Sequence, residues 1–373
     1  MTLTQAAGAE APSSAVVRKP RQAMLLIDGD IHPSYNTEQM GPWLEADVMQ
    51  RIREFGLHAH GEAYPRVRNG GGRLDSRPAE QEGTALSMFQ RQLLDEYEER
   101  VGILIPMAGH HWGRERDDLA VPLCSAINDF MVQEWLDPEP RFFSTLNVAM
   151  EHPKAAVAEI ERFRNDKRFV QVLLSGSGEA DLADQKYWPI YEAAADAGMA
   201  LGVHVGSDPR ARHGMGYPSY YTHEHVGYGY SMTSLALGLI SEGVFDAVPN
   251  LQVISIEAGI SWALGLQWEL DSTAEMVGRE QPRLKTRPSE LFREHFWFTT
   301  QPIEEPDNPD DLMKSYELTG VLDHIMFSSD YPHWDFDAPD RSLPTSLTKE
   351  QREAILGGNA CRCYGIDPIT GRV

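Results

Sequence analysis

The run Ala23-Met24-Leu25-Leu26-Ile27, continuing into Asp28-Gly29-Asp30-Ile31-His32, decides the fold. A short apolar stretch ending in polar residues is the pattern of a parallel strand buried on both faces. A doubly wound, nucleotide-binding sheet would place a glycine fingerprint after this strand, and none is present. Comparable runs follow at Val101–Pro106, Arg141–Val148, Phe169–Leu174, Met199–Val205, Leu251–Glu257, Phe296–Thr300 and His324–Asp330. Between them lie amphipathic segments of helical length. Pro153–Arg164 sets Ala156, Ile160 and Phe163 on one face, and Trp188–Ala197 and Pro309–Thr319 read likewise. Eight strands with intervening helices over roughly 350 residues predict an α/β chain folded as a (β/α)8 TIM-like barrel.

Two long insertions, Pro33–Arg100 after strand one and Gly206–Ser231 after strand five, would fall at the barrel mouth. Segments of that length serve as lids, binding elements or subunit contacts. Gly70-Gly71-Gly72, flanked by Arg66, Arg68 and Arg73, reads as an anion loop or a mobile surface loop. Residues 1–22 read as a flexible polar tail and residues 23–373 as one catalytic domain.

With 33 basic and 56 acidic residues the formal charge is −23, which argues against nucleic acid and anionic membranes as partners. No stretch reaches the ~20 apolar residues of a membrane span. The first twenty residues lack an apolar signal core, so the cytoplasm is the expected location. Cys124, Cys361 and Cys363 do not form a zinc-knuckle pattern and read as reduced thiols.

Asp30 and His32 share a strand face by alternation, so a carboxylate and an imidazole can converge there. Taken alone, each of these residues has a structural reading: a D-x-H triplet, a lone His204 after an apolar strand, an Asp330 capping the next helix. Together they bring four groups of metal-ligand type to the ends of strands one, five and eight of one barrel. Nitrogen and oxygen donors of this kind suit zinc, manganese or iron.

These motifs carry a family resemblance. Residues Ile27 to Gly365 resemble the amidohydrolase-related proteins of the amidohydrolase superfamily, in the branch with aminocarboxymuconate-semialdehyde and resorcylate-type decarboxylases. The resemblance rests on DGDIHP, GVHVG, VISIEAGISW, WFTTQPIEEP, FSSDYPHWD and GGNACRCYG. It implies the same barrel, with Asp30, His32 and His204 as metal ligands and Asp330 as a ligand that also moves a proton. Two departures stand out: the first-strand pair is D-x-H where H-x-H is common, and Glu257 stands in place of a sixth-strand histidine. Glu257 reads as a ligand, a catalytic acid/base or a brace. Gln171 on strand four offers no lysine for the bridging carbamate of two-metal relatives, so one divalent ion is expected, zinc first, with manganese or iron as alternatives.

His110 (beside His111), His333, Trp334 and Arg210 (or Arg212) are candidate substrate contacts, each with a solvated or covering role as the plain alternative. The stretch Arg210–Tyr230 is read as a loop; its His213, His223 and His225 with Tyr217, Tyr220, Tyr221, Tyr228 and Tyr230 suit stacking on a planar substrate or packing between subunits. Gln301 and Glu304 acquire no role. The first functional expectation is metal-assisted hydrolysis of a small carbonyl-type substrate, with Asp330 taking the proton of an activated water. The alternatives are non-oxidative decarboxylation of an aromatic or unsaturated acid, and an inactive barrel that only binds. A homodimer or larger homo-oligomer is expected from the family and the aromatic insertion.

Overall fold

The computed structural model describes residues 26–57, 72, 73, 75, 76, 85–97, 100–107, 112, 113, 115–176, 181–205 and 219–373. Its strands are β1 Leu26–Ile31, β2 Arg100–Leu104, β3 Phe142–Leu146, β4 Phe169–Ser175, β5 Ala200–His204, β6 Val253–Ile256, β7 Phe296–Thr299 and β8 Ile325–Met326. They form one sheet in sequence order, every neighbouring pair parallel. Backbone bonds from β1 to the segment after β8 bring the two edges together: Gly29 N to Phe327 O at 2.8 Å, His32 N to Tyr331 O at 2.7 Å, and Asp330 N to Asp30 O at 3.1 Å. Gly29 permits this approach, because a Cβ there would lie 3.2 Å from the Phe327 carbonyl oxygen. The expected TIM-like barrel is the observed architecture.

Side-chain alternation sorts the strands' apolar residues into two clusters. Leu104, Phe142, Val172, Leu201, Val253, Phe296, Phe298 and Ile325 belong to the outer cluster packed under the helices. Ile27, Ile103, Phe143, Leu173, Ile254 and Met326 form the inner one. Each such burial contributes about 1.5–3 kcal/mol, so one-residue slips of register are strongly opposed. The helices Pro153–Phe163 and Pro309–Thr319 start with proline at a position where a missing N–H costs nothing. The second of these ends at Gly320, whose φ of 72° suits a residue without Cβ.

The C-terminal motif belongs to the barrel. Ile355 O accepts the Phe327 amide at 2.9 Å, and Asn359 Nδ2 donates to Ile325 O at 2.6 Å. From the helix Asn359–Tyr364, the Tyr364 hydroxyl donates to Gln171 Oε1 at 3.0 Å, while Gln171 Nε2 donates to Thr145 Oγ1 at 2.8 Å.

Three expectations are corrected, and the first insertion proves to contain a helix. The eighth strand ends at Met326, not Asp330, because side-chain bonds from Thr300 and Ser328 replace the ladder there. The aromatic stretch after β5 is not wholly loop: Tyr221–Ser241 is a 21-residue helix. Within the first insertion lies the helix Ala46–Phe55. The triglycine's last residue, Gly72, bridges His333, and Arg73 is held by Asp75 at 2.7 and 2.9 Å, so this guanidinium is no free anion-binding group. The tail 1–22 lies outside the described residues.

Candidate metal centre and its surroundings

The ends of β1, β5, β6 and β8 supply one cluster. One donor atom each from Asp30, His32, His204 and Glu257 lies within 4.8 Å of the others, and His32, Asp330 and His333 form an overlapping group within the same limit. His32 Nε2 is 3.3 Å from Asp30 Oδ1 and 3.1 Å from Asp330 Oδ1. His204 Nε2 is 3.3 Å from Glu257 Oε2 and 3.7 Å from Asp30 Oδ2. The departure at Asp30 therefore does not remove that carboxylate from the cluster.

The local sequence explains the aim of each group. His32 Nδ1 lies 3.3 Å from the Ile105 carbonyl oxygen, and His204 Nδ1 faces the Val205 carbonyl oxygen. Each contact places the proton on Nδ1 and turns the Nε2 lone pair inward, as a metal ligand requires. Among the described residues, only Glu257 (φ 58°) and Asp330 (φ 56°) are non-glycines at positive φ. Left-handed backbone costs such residues of order 1–3 kcal/mol and persists where surrounding contacts over-determine it. Those contacts are visible. Thr299 Oγ1 accepts the Glu257 amide at 3.1 Å, and Glu304 Oε1 accepts the amides of Ile260 and Ser261 at 2.7 Å each. Asp28 accepts the Ser329 amide at 2.8 Å and its hydroxyl, fixing the residue before Asp330.

Burial sets the charge states. It pushes the Asp30 carboxyl up to about 7 against the pull of His32, and lifts Glu257 well above its usual range, with Asp330 and Asp30 adding repulsion. It pushes His204 down to about 4, so that imidazole is neutral at pH 7. Asp330 is buried too, yet His333 and His32 outweigh that and hold its carboxyl below the ordinary range. His333, 2.6 Å from Asp330 Oδ1, is raised to about 9: burial lowers it, and the Asp330 charge and hydrogen bond win.

The donor chemistry fits a divalent cation. Among the described residues, both oxygens of Asp30, Asp330 Oδ2 and His32 Nε2 are buried without a hydrogen-bond partner. Three carboxylates beside two neutral-capable imidazoles would be strongly repulsive without a positive charge between them. Gln171, committed to Thr145 and Tyr364, is not in the cluster.

Of the expected substrate contacts, His333 stands directly on Asp330, with its ring 4.8 Å from that of His32. Trp334 is half-exposed and donates to the Tyr221 hydroxyl at 3.3 Å. His110 and Arg210 lie outside the described residues, as do His111, Arg212, His213 and Tyr217. The braces Asp28, Thr299 and Glu304 acquired no role from sequence; only the two-residue spacing of Asp28 and Asp30 hinted at a pair. His225, stacked on Tyr221 and 3.6 Å from Asp335, ties the helix Tyr221–Ser241 to the segment after Trp334.

Comparison with known proteins decides the family. A family model described as amidohydrolase matches residues 27–366. The chain belongs to the amidohydrolase family. This amidohydrolase is 26% identical over 259 residues to gamma-resorcylate decarboxylase of Polaromonas sp., covering 64% of this chain and 75% of that one. It is 23% identical over 298 residues to 2-amino-3-carboxymuconate-6-semialdehyde decarboxylase of Dictyostelium discoideum, covering 74% of each. The crystal structure of a dihydroxybenzoic acid decarboxylase from Polaromonas sp., with bound manganese and the inhibitor 2-nitroresorcinol, shares the fold: TM-score 0.65, 20% identity, 92% of this chain and 97% of that one. These curated relatives are named decarboxylases, and this overturns hydrolysis as the first reading.

Proposed function

We propose that the chain is a metal-dependent, non-oxidative decarboxylase of a small hydroxylated aromatic or unsaturated carboxylic acid. The observation that carries this is the buried donor group of Asp30, His32, His204 and Glu257, joined through His32 to a second group with Asp330 and His333, in a chain whose curated relatives are named decarboxylases. Asp30, His32, His204 and Asp330 hold one divalent ion, with Glu257 beside them. The carboxylate-rich donor set favours manganese over the zinc first expected, and manganese is bound in the Polaromonas structure. When bound, the ion supplies positive charge to anchor the substrate carboxylate and a neighbouring hydroxyl oxygen.

The chain's own groups then move the proton. The proton rests on His333, raised to about 9 and 2.6 Å from Asp330 Oδ1, and passes through the Asp330 carboxylate to the ring carbon that bears the substrate carboxylate. The C–C bond to the carboxylate breaks, its electron pair returns to the ring system, and carbon dioxide leaves. The net change is RCOO⁻ + H⁺ → RH + CO2. Burial and the neighbouring Asp330 and Asp30 charges raise the Glu257 carboxyl, which disfavours a further negative charge at that position when the acid enters.

The reading is tested with manganese-loaded protein and a panel of hydroxybenzoates in D2O. The expected result is carbon dioxide in the headspace and one deuterium on the ring of the product, both lost on chelation. Hydrolysis of esters or lactones with no carbon dioxide from any acid would sink it.

A further inference from the structure

Gln301 follows β7 and is 1% exposed, yet among the described residues neither Nε2 nor Oε1 of its carboxamide has a hydrogen-bond partner. A buried amide left unmade in both directions is rare, because its desolvation is uncompensated. Its place in the barrel supplies the reason. Along β7, Phe296 and Phe298 join the outer apolar cluster and Trp297 the inner one, so Gln301 falls on the inner parity. Its backbone is stitched between the two catalytic strand ends. Thr299, two residues before it, accepts the Glu257 amide, and the Gln301 amide donates at 2.9 Å to Ser328 Oγ, two residues before Asp330. We propose that Gln301 is a specificity-determining substrate contact, its carboxamide receiving a hydroxyl of the substrate ring at the barrel mouth.

The group suits that ligand. A carboxamide is neutral and offers one acceptor oxygen and two donor hydrogens. A ring hydroxyl presents the matching donor and lone pairs, and adds no charge beside the carboxylates of Glu257 and Asp330. A site built to hydrogen-bond a hydroxyl discriminates sharply against the analogue lacking it, since its own polar atoms are then left bare. The inference rests on the reading of this mouth as the acid-binding site of a decarboxylase.

Calorimetric binding of 2,6-dihydroxybenzoate and of 2-hydroxybenzoate, which keeps a hydroxyl for the ion and lacks the second, to manganese-loaded protein tests it, in the natural chain and in Gln301→Met, a near-isosteric apolar replacement. The natural chain is expected to prefer the dihydroxylated acid by about tenfold or more, and Gln301→Met to lose most of that preference. The variant's melting temperature without ligand should be unchanged or higher, because an unsatisfied amide has been removed. Equal binding of the two acids by the natural chain overturns the inference, as does a preference that survives in Gln301→Met. A variant that melts lower or does not fold assigns the amide a structural role and also overturns it. If the natural chain binds neither acid, the decarboxylase reading falls first and the inference falls with it.

Discussion

Asp330 is held at several points: its amide donates to Asp30 O at 3.1 Å, its Oδ1 lies 2.6 Å from His333 Nδ1, and its preceding residue is fixed by Asp28. Replacing it with asparagine keeps the left-handed backbone, which asparagine tolerates, but removes the proton carrier. Asp330→Asn should therefore lower carbon dioxide release by about a thousandfold while circular dichroism and the melting curve stay close to the parent's. An active Asp330→Asn protein would take this residue out of the mechanism. His204→Ala removes a neutral inward nitrogen, and elemental analysis should find the metal content reduced; unchanged stoichiometry would refute its ligand role. These residues were readable in sequence because each is a polar residue closing an apolar strand. Asp28 and Gln301 were not, since their meaning lies in which hydrogen bonds are made or left open across the barrel, and residue spacing carries no record of that.

At the scale of elements, the strands were legible and the helix Tyr221–Ser241 was not. A strand buried on both faces announces itself as an apolar run, and the observed limits of β2 to β7 fall within or one residue beyond those expected. The helix has no clean apolar stripe and contains Gly227 and Gly229, which read as loop punctuation. Gly229 instead serves packing: a Cβ there would sit 3.3 Å from Trp262 Cδ1 on the helix Trp262–Val277 and 3.5 Å from the Ala258 carbonyl oxygen. The close approach sets the helix beside the turn that carries Glu257. Gly229→Val should push the two helices apart and cost about 1–3 kcal/mol, read from urea unfolding. Stability equal to or above the parent's would show that the contact is not tight. Trp334 and Asp335 show the same limit of sequence reading, because their partners Tyr221 and His225 lie more than a hundred residues away.

For the molecule as a whole, a net charge of −23 meets a site that buries carboxyls, so protons and metal compete for the same stabilising role. Burial raises Asp30, Glu224 and Asp337 to about 7 in the folded chain, each well above its unfolded value. A group of this kind holds its proton when folded and releases it when unfolded, so it stabilises the fold below its folded pKa and that contribution is lost as pH rises through it. His333, raised to about 9, acts in the same direction, while His204, lowered to about 4, acts oppositely only below the ordinary imidazole range. Between about pH 6.5 and about pH 8 the metal-free protein should thus lose melting temperature as pH rises. Manganese binds the deprotonated ligands, so its own stabilisation should grow over the same interval, reaching about 2.7 kcal/mol once free metal is a hundred times its dissociation constant. Differential scanning calorimetry with chelator and with manganese separates the two slopes. A metal-free melting temperature that rises with pH, or a manganese increment that shrinks, would contradict the assignment of these buried carboxyls to a cation-binding centre.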